Sequence, residues 1–137
     1  MKTIQTDKAP KVVGPYSQAI EANGFIFCSG QIGLDPKTNM VVEGIEKQIN
    51  QIMNNLKAVL KSADSDFNNV VKTTIYLTDM DNYALVNKVY GEYFKENKPA
   101  RATVQVNKLP LNVLVEIDCV AVKKDCCCEG GQECCKN

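Results

Sequence analysis

Alternating hydrophobic and polar residues predict the strands of this chain. In residues 16–30, YSQAIEANGFIFCSG, alternation runs up to Asn23-Gly24 and FIFCS runs away from it. Asn-Gly supplies two residues that tolerate the positive φ angles of a type I′ turn, so the segment predicts a β-hairpin. A loop, GLDPKTNM, follows. Further strands are predicted at residues 70–77, where β-branched residues dominate, and at residues 102–107 and 113–122.

Two other stretches repeat their apolar residues every three or four positions, which predicts amphipathic helices. The first lies between Gly44 and Ala63, and the second follows N-cap candidates in residues 78–81 and ends before Lys98-Pro99. The order ββαβαββ predicts a single α+β domain with the helices on one sheet face. The two apolar stripes are Ile45, Ile49, Ile52, Met53, Leu56, Val59 and Leu60, and Tyr83, Val86, Val89, Tyr90 and Phe94.

The predicted strands also carry apolar residues on the side that helices would leave uncovered. A second apolar face on a domain of this size usually meets another subunit. We therefore expect a homo-oligomer with a sheet-to-sheet interface. The apolar residues behind this expectation lie on both sides of the predicted strands, and they are Phe25, Phe27, Val104, Val106, Val113, Val115 and Ile117.

Composition narrows the possible function classes. Sixteen basic and sixteen acidic residues cancel, so no net charge favours nucleic acid or an anionic membrane. No apolar run approaches the roughly 20 residues of a membrane span, and the N-terminal segment lacks the apolar core of a secretory signal, which predicts a cytoplasmic protein. The chain has no histidine, which excludes Ser-His-Asp and Cys-His nucleophiles and histidine-ligated zinc.

The seven cysteines divide between the domain and its C-terminal extension. Cys28 and Cys119 lie in predicted strands, whereas the other five fall in the last twelve residues, within DCCCEGGQECCKN. That segment has almost no other apolar residues, so we expect a domain at residues 1–123 and a disordered cysteine-rich extension at residues 124–137. The spacing matches no zinc motif and we expect no metal, although crowded thiols leave a soft metal ion as the alternative.

Arg101 and Glu116 are the first candidates for chemistry. A guanidinium binds a carboxylate or phosphate through two parallel hydrogen bonds, and Arg101 directly precedes a predicted strand. Its alternative role is a surface ion pair or protection of an edge strand. Glu116 alternates with Val115 and Ile117 and so faces away from them, where it is either solvated or able to orient a water in a cleft.

Weaker candidates surround the predicted hairpin. Tyr16 follows Gly14-Pro15, and the segment around Ser29 and Gly30 leaves backbone amides that fit a small anion. Both are also ordinary turn sequences. No P-loop, dinucleotide fingerprint or carboxylate-rich metal cluster is present. The residues alone therefore indicate a small anionic ligand at a subunit interface.

Four segments together resemble the RidA (YjgF/YER057c/UK114) family of reactive-intermediate deaminases, in the family's order across residues 2–123. They are GPYSQAI, FCSGQIGLDPKT, LTDMDNYALVNKVYGEYF and PARATVQVNKLPLNVLVEIDCVAV. The resemblance implies a chorismate-mutase-like fold and a homotrimer whose sheets form a central barrel, with clefts between subunits. It also implies cofactor-free hydrolysis of enamines and imines, such as 2-aminoacrylate and 2-aminocrotonate, to 2-keto acids and ammonium, which protects pyridoxal-phosphate enzymes.

The same resemblance implies roles for individual residues. Arg101 matches the arginine that grips the substrate carboxylate, the backbone near Thr103 helps to hold it, and Glu116 matches the acid that orients the attacking water. The other matching cleft residues are Tyr16, Ser29, Gly30 and Asn87. The imine preferred stays open, as do three alternatives in the same cleft: a ribonuclease-type translation inhibitor, which zero net charge disfavours, a redox-activated chaperone, and a metabolite-binding protein.

Overall fold

The structure is a computed structural model that describes residues 1–124. The predicted extension therefore lies outside the described residues except for Lys124. Within residues 1–124, neither helix is long and apolar enough to cross a membrane. The elements are β1 (Lys2–Ile4), β2 (Ala19–Ala22), β3 (Phe25–Ile32), β4 (Leu34–Asp35), β5 (Met40–Val41), α1 (Ile45–Ser62), β6 (Val70–Leu77), α2 (Tyr83–Tyr93), β7 (Ala100–Gln105) and β8 (Val115–Val122).

Six of the strands form one mixed sheet, in the order β1-β2-β3-β8-β6-β7. All neighbours run antiparallel except β6 and β7, which are parallel because α2 carries the chain back between them. This confirms the predicted α+β domain. The sheet keeps two edges, β1 and β7, and does not close in this chain, so the central barrel of a trimer stays a prediction.

The core lies between the two helices and one face of the sheet. The apolar stripe of α1 is buried there, including Ile49, Met53 and Leu60, and it packs on β3 and β8. From β8, Val115 and Ile117 point into this core with no exposed surface. Each such side chain stabilises the fold by about 1.5–3 kcal/mol relative to exposure to water.

Local sequence patterns predicted several elements closely. Asn23 and Gly24 have φ angles of 52° and 80°, which confirms the positive-φ hairpin turn between β2 and β3. The strand predicted at residues 70–77 is β6 with the same bounds, and α1 is one residue shorter at each end than residues 44–63. The last two strands differ from their predicted bounds of 102–107 and 113–122. The strand β7 begins two residues before its predicted start, and β8 begins two residues after its predicted start.

The predicted order ββαβαββ was incomplete. The N-terminal strand β1 pairs with β2, from Lys2 opposite Glu21 to Ile4 opposite Ala19, and the predicted loop GLDPKTNM contains the short hairpin of β4 and β5. Three- and two-residue strands are too short for an alternating pattern to become visible, so tertiary pairing determined them instead.

Apolar side chains also occupy the sheet face that the helices leave open, which we call the outer face. Phe25 and Phe27 of β3 and Val104 of β7 keep 42%, 47% and 41% of their surface exposed. The rings of Phe25 and Phe27 are 6.2 Å apart and form one patch. The second apolar face predicted from the sequence is therefore present, and the oligomer that would cover it stays a prediction.

Candidate active site

Arg101 lies on the helix side of the edge strand β7. Its register partner in β6 is Thr73, whose side chain is buried beneath α2. The Arg101 Cζ atom is 5.2 Å from the ring centroid of Tyr90 and 5.7 Å from that of Tyr83, and Nη2 donates a hydrogen bond of 3.1 Å to the Tyr83 hydroxyl. Two aromatic rings thus support the guanidinium by cation–π contact.

Within residues 1–124, no carboxylate forms an ion pair with the guanidinium. The ion pairs among residues 1–124 join Lys123 to Glu21 and Lys124 to Asp66. Arg101 is also the only arginine in the sequence. Its bidentate donor edge is therefore available for a carboxylate or phosphate from outside the chain.

A groove of about 330 Å³ lies between α2 and β7, beside the guanidinium. Its walls include Asn87 and Tyr90 from α2, and Lys98 from the loop that leads to Arg101. Tyr90 is held rigidly, because its hydroxyl lies 2.7 Å from the buried Thr73 Oγ1. Burial raises the pKa of Tyr90 above the ordinary tyrosine value. The groove thus has a fixed aromatic wall and two cationic groups, which fits a small anion.

Two buried polar atoms on this side of the sheet lack a hydrogen-bond partner among the described residues. They are Asn87 Oδ1 and Thr103 Oγ1. Thr103 lies two residues beyond Arg101 on the same side of β7, in register with Ile75. Buried polar groups are nearly always hydrogen-bonded, so both atoms indicate places for groups of a ligand. The Thr103 hydroxyl therefore joins the backbone amide as a candidate contact.

Glu116 lies on the outer face of the sheet. It alternates with the buried Val115 and Ile117, and its register partner in β6 is Tyr76. Burial raises the pKa of the Glu116 carboxyl above its ordinary value of 4.5, and the charge of Asp118 raises it further. A carboxyl with a raised pKa gives up and takes up a proton closer to neutral pH, as a general acid or base requires.

Tyr76 and Asp118 form a polar pair next to Glu116. The Tyr76 hydroxyl donates to Asp118 Oδ2 at 3.0 Å. Burial and this hydrogen bond to Asp118 raise the pKa of Tyr76. The pair keeps the Asp118 carboxylate close to Glu116 on the outer face. We did not anticipate Tyr76 from the sequence, because a tyrosine in an alternating strand is equally typical of a packed surface.

Gly30 and Ser29 lie in an irregularity of the β3–β8 pairing between Cys28 and Gln31. A Cβ atom added to Gly30 would lie 2.7 Å from Glu116 Oε2, so glycine leaves the space that the carboxylate occupies. The Ser29 hydroxyl donates to the backbone oxygen of Ser17, which ties β3 to the segment carrying Tyr16. Tyr16 itself is 53% exposed and free to contact a ligand or a second subunit.

One chain does not bring Arg101 and Glu116 together. Arg101 is in register with the helix-facing Thr73, whereas Glu116 faces away from the helices, so the two side chains lie on opposite sides of the sheet. On the helix side of the sheet Arg101 lies beside Asn87, and on the outer face Glu116 lies beside Gly30. A site that uses both groups needs a second copy of the chain.

Tyr83 contacts Arg101, which the sequence pattern did not predict. We predicted it as part of the buried stripe of α2, but it is 41% exposed and contacts Arg101. The spacing of Tyr83, Asn87 and Tyr90 at positions i, i+4 and i+7 does place all three on one face of α2. That face contacts β6 through Tyr90 and Thr73, and the edge strand β7 through Tyr83 and Arg101.

Metal-ligating side chains do not gather in the described part of the chain. No group of three or more Cys, Asp or Glu residues has the arrangement that a metal ion requires within residues 1–124. Cys28 and Cys119 are register partners and both are buried. Hydrogen bonding to Cys28 and burial raise the pKa of the Cys119 thiol well above its ordinary value, so it is a poor nucleophile.

Comparisons with known proteins identify similar chains. The family model described as Endoribonuclease L-PSP matches residues 6–123. The mouse 2-iminobutanoate/2-iminopropanoate deaminase is 47% identical over 123 residues, which cover 89% of this chain and 91% of the relative. The crystal structure of RidA from an Antarctic Psychrobacter superposes with a TM-score of 0.87 at 43% identity, covering 89% of this chain and 99% of that one. The E. coli TdcF structure with bound serine gives 0.87 at 34% identity, covering 90% and 100%.

Proposed function

The chain belongs to the Endoribonuclease L-PSP family, which includes the RidA deaminases, and from this premise we propose that it is an enamine/imine deaminase. It hydrolyses 2-aminoacrylate and 2-aminocrotonate, in their imine forms, to 2-keto acids and ammonium without a cofactor. Removing these intermediates protects pyridoxal-phosphate enzymes in the cytoplasm. Residues 1–123 form the catalytic domain, and the extension from residue 124 has no part in the reaction.

The observation that carries this proposal is the unpaired guanidinium of Arg101 in a small groove. Two tyrosine rings hold it, and no carboxylate among residues 1–124 neutralises it. The substrates are small molecules that carry one carboxylate next to the reacting carbon. The bound serine of E. coli TdcF is also a small carboxylate with nitrogen on the adjacent carbon, which supports this ligand class.

The chemistry requires only positioning and proton movement. Water adds its oxygen to the imine carbon while the imine nitrogen takes up a proton, and the resulting carbinolamine then expels ammonia to leave the keto acid. Arg101 fixes the carboxylate and so orients the neighbouring carbon for attack. Glu116, with its raised pKa, accepts a proton from the attacking water and returns one to the leaving nitrogen. Such acid–base assistance typically accelerates a reaction about 10²–10⁴-fold.

The opposite placement of Arg101 and Glu116 supports a site shared between subunits. We propose a homotrimer in which the outer faces pack into a central barrel and cover the Phe25–Phe27 patch. In each cleft, Arg101 of one subunit then faces Glu116 of the partner subunit. Thr103 and Asn87 accompany the arginine, and Tyr16, Ser29 and Gly30 accompany the glutamate.

The test is to generate 2-aminoacrylate in situ from serine with a dehydratase and to follow the decay of the imine. Wild-type protein, Arg101→Ala and Lys108→Ala are compared with a sample without protein. Lys108 is an exposed cation in the loop after β7, so its variant controls for loss of one positive charge. Faster decay with wild type and Lys108→Ala, but not with Arg101→Ala, supports the proposal; no acceleration by wild type refutes it.

The family description makes ribonuclease activity the competing function. Zero net charge supplies little of the phosphate-backbone attraction on which RNA binding depends. Incubating structured and single-stranded RNA with the same three proteins separates the two functions. Cleavage that is equal in wild type and Arg101→Ala, together with no effect on imine decay, would favour the ribonuclease. Chaperone or metabolite-binding roles would instead appear as client protection or ligand binding without turnover.

A further inference from the structure

Tyr83 is the first residue of α2 and lies against the Arg101 guanidinium. Its ring is 41% exposed, and its hydroxyl oxygen accepts the Arg101 Nη2 hydrogen bond at 3.1 Å. An exposed tyrosine contributes little to the hydrophobic core. Its position is therefore explained better by what it does to the guanidinium than by packing.

The Tyr83 oxygen accepts the hydrogen bond from Arg101 Nη2, and Asn87 follows one turn later on the same face of α2. Hydrogen bonding from the Asn87 side chain and the positive charge of Arg101 both lower the pKa of Tyr83 below the ordinary tyrosine value. Asn87 Oδ1 is buried without a hydrogen-bond partner among residues 1–124. Among residues 1–124 no acceptor takes the Tyr83 hydroxyl proton, so this proton is available to a ligand bound by Arg101.

We propose that Tyr83 is a second carboxylate-recognition residue that works with Arg101. Its oxygen holds Nη2 and so fixes the rotation of the guanidinium, while its proton is donated to a carboxylate oxygen of the bound ligand. The inference rests on the proposed function for the identity of the substrate. The carboxylate contact itself is testable with any small 2-keto acid.

The first experiment measures binding of pyruvate, the 2-keto acid product, to the full-length protein by isothermal titration calorimetry. Tyr83→Phe removes only the hydroxyl, and we expect pyruvate to bind about 10- to 150-fold more weakly, as for loss of one hydrogen bond to a charged group. Tyr93→Phe is the matched control. It removes a hydroxyl from the same helix, but from one that donates to Asn50 at 2.7 Å.

The second experiment measures turnover of 2-aminoacrylate by the same three proteins. A carboxylate contact is made in the ground state and in the transition state alike, so its loss raises KM and leaves kcat nearly unchanged. We expect Tyr83→Phe to raise KM by the same factor as the pyruvate Kd, with kcat within about twofold of wild type. Tyr93→Phe is expected to match wild type in both constants.

The pH dependence of pyruvate binding separates recognition from a structural role. When Tyr83 ionises it loses its proton donor and its negative charge pairs with Arg101, so wild-type affinity falls at alkaline pH, beginning below the ordinary tyrosine range. The other titratable groups of the groove are Arg101, Lys98 and Tyr90, and burial raises the Tyr90 pKa. All three remain in Tyr83→Phe, which is expected to lack this early decline.

The possible outcomes separate this inference from the proposed function. If wild type deaminates 2-aminoacrylate but Tyr83→Phe keeps the wild-type pyruvate Kd, Tyr83 has no recognition role. Weaker binding that keeps the alkaline decline also overturns the inference, because the titrating group is then not Tyr83. If wild type shows no deaminase activity but Tyr83→Phe weakens pyruvate binding and removes the decline, the inference stands and the proposed function fails.

Discussion

Gly30 provides the sharpest test of how the site is built, because its lack of a side chain makes room for Glu116. A Cβ atom at this position would lie 2.7 Å from Glu116 Oε2, 2.8 Å from Cδ and 3.1 Å from Cγ. Ordinary van der Waals contact begins near 3.4 Å, so in Gly30→Ala the carboxylate must move by about 0.7 Å. The carboxylate is the free end of a flexible side chain, and it moves in preference to the strand.

In the proposed mechanism, this displaces the carboxyl group that moves protons and leaves the fold intact. A misplacement of about 1 Å costs up to about 10² in rate, so we expect kcat/KM for 2-aminoacrylate to fall roughly 10- to 100-fold in Gly30→Ala. That loss corresponds to about 1.4–2.7 kcal/mol of transition-state stabilisation. The free energy of unfolding, measured by urea denaturation, is expected to change by less than about 1 kcal/mol, since alanine also restricts the unfolded chain.

A double-mutant cycle shows whether the loss passes through Glu116. Glu116→Gln retains the size of the side chain but removes its ionisable proton, and it is expected to be nearly inactive alone. Adding Gly30→Ala to it should then change kcat/KM by less than about twofold, because the displaced group no longer contributes. Full additivity of the two losses, or wild-type activity in Gly30→Ala, would refute this reasoning.

Three further predictions concern anchoring, pH and the core. Arg101→Lys keeps the charge but loses the planar fork, so KM for 2-aminoacrylate should rise about tenfold or more in steady-state assays; an unchanged KM would exclude bidentate binding. The raised pKa of Glu116 means that the folded state holds this proton more tightly than the unfolded chain, so stability falls as pH rises from 4.5 through the raised pKa. The urea midpoint of wild type should fall across that pH range, whereas the midpoint of Glu116→Gln should not. The same pH dependence in both proteins would contradict this prediction. Asn55→Ala leaves the backbone carbonyls of Ile32 and Leu34 without their amide donor and should lower the free energy of unfolding by about 2–3 kcal/mol in urea, whereas a loss below about 0.5 kcal/mol would mean that water replaces it.

Local rules were sufficient for most of the fold. The positive-φ turn at Asn23-Gly24, the periodicity of α1 and the β-branched run of β6 each express a short-range preference that the tertiary structure did not override. The strand β1 was missed because its three residues contribute one buried side chain, Ile4, and form a strand only through pairing with β2. The strand β1 is therefore determined by its pairing with β2 and not by a local sequence pattern.

The sequence supplied a set of candidate site residues but not their arrangement in the fold. Alternation correctly placed Glu116 opposite to Val115 and Ile117, because strand periodicity needs only the local sequence. The side occupied by Arg101 depends on the parallel register of β7 with β6, which no local pattern in β7 specifies. Tyr83 was misassigned for a related reason, since helical periodicity shows which residues share a face but not which part of the sheet that face covers.

The most direct test of the account is complementation between two inactive variants. Arg101→Ala and Glu116→Gln are denatured, mixed in equal amounts and refolded together, and 2-aminoacrylate decay is compared with each variant refolded alone. If each cleft takes Arg101 from one chain and Glu116 from another, about a quarter of the clefts regain both residues, and about a quarter of wild-type activity should return. Mixed protein that forms oligomers but shows no more activity than the separate variants would contradict a site shared between subunits.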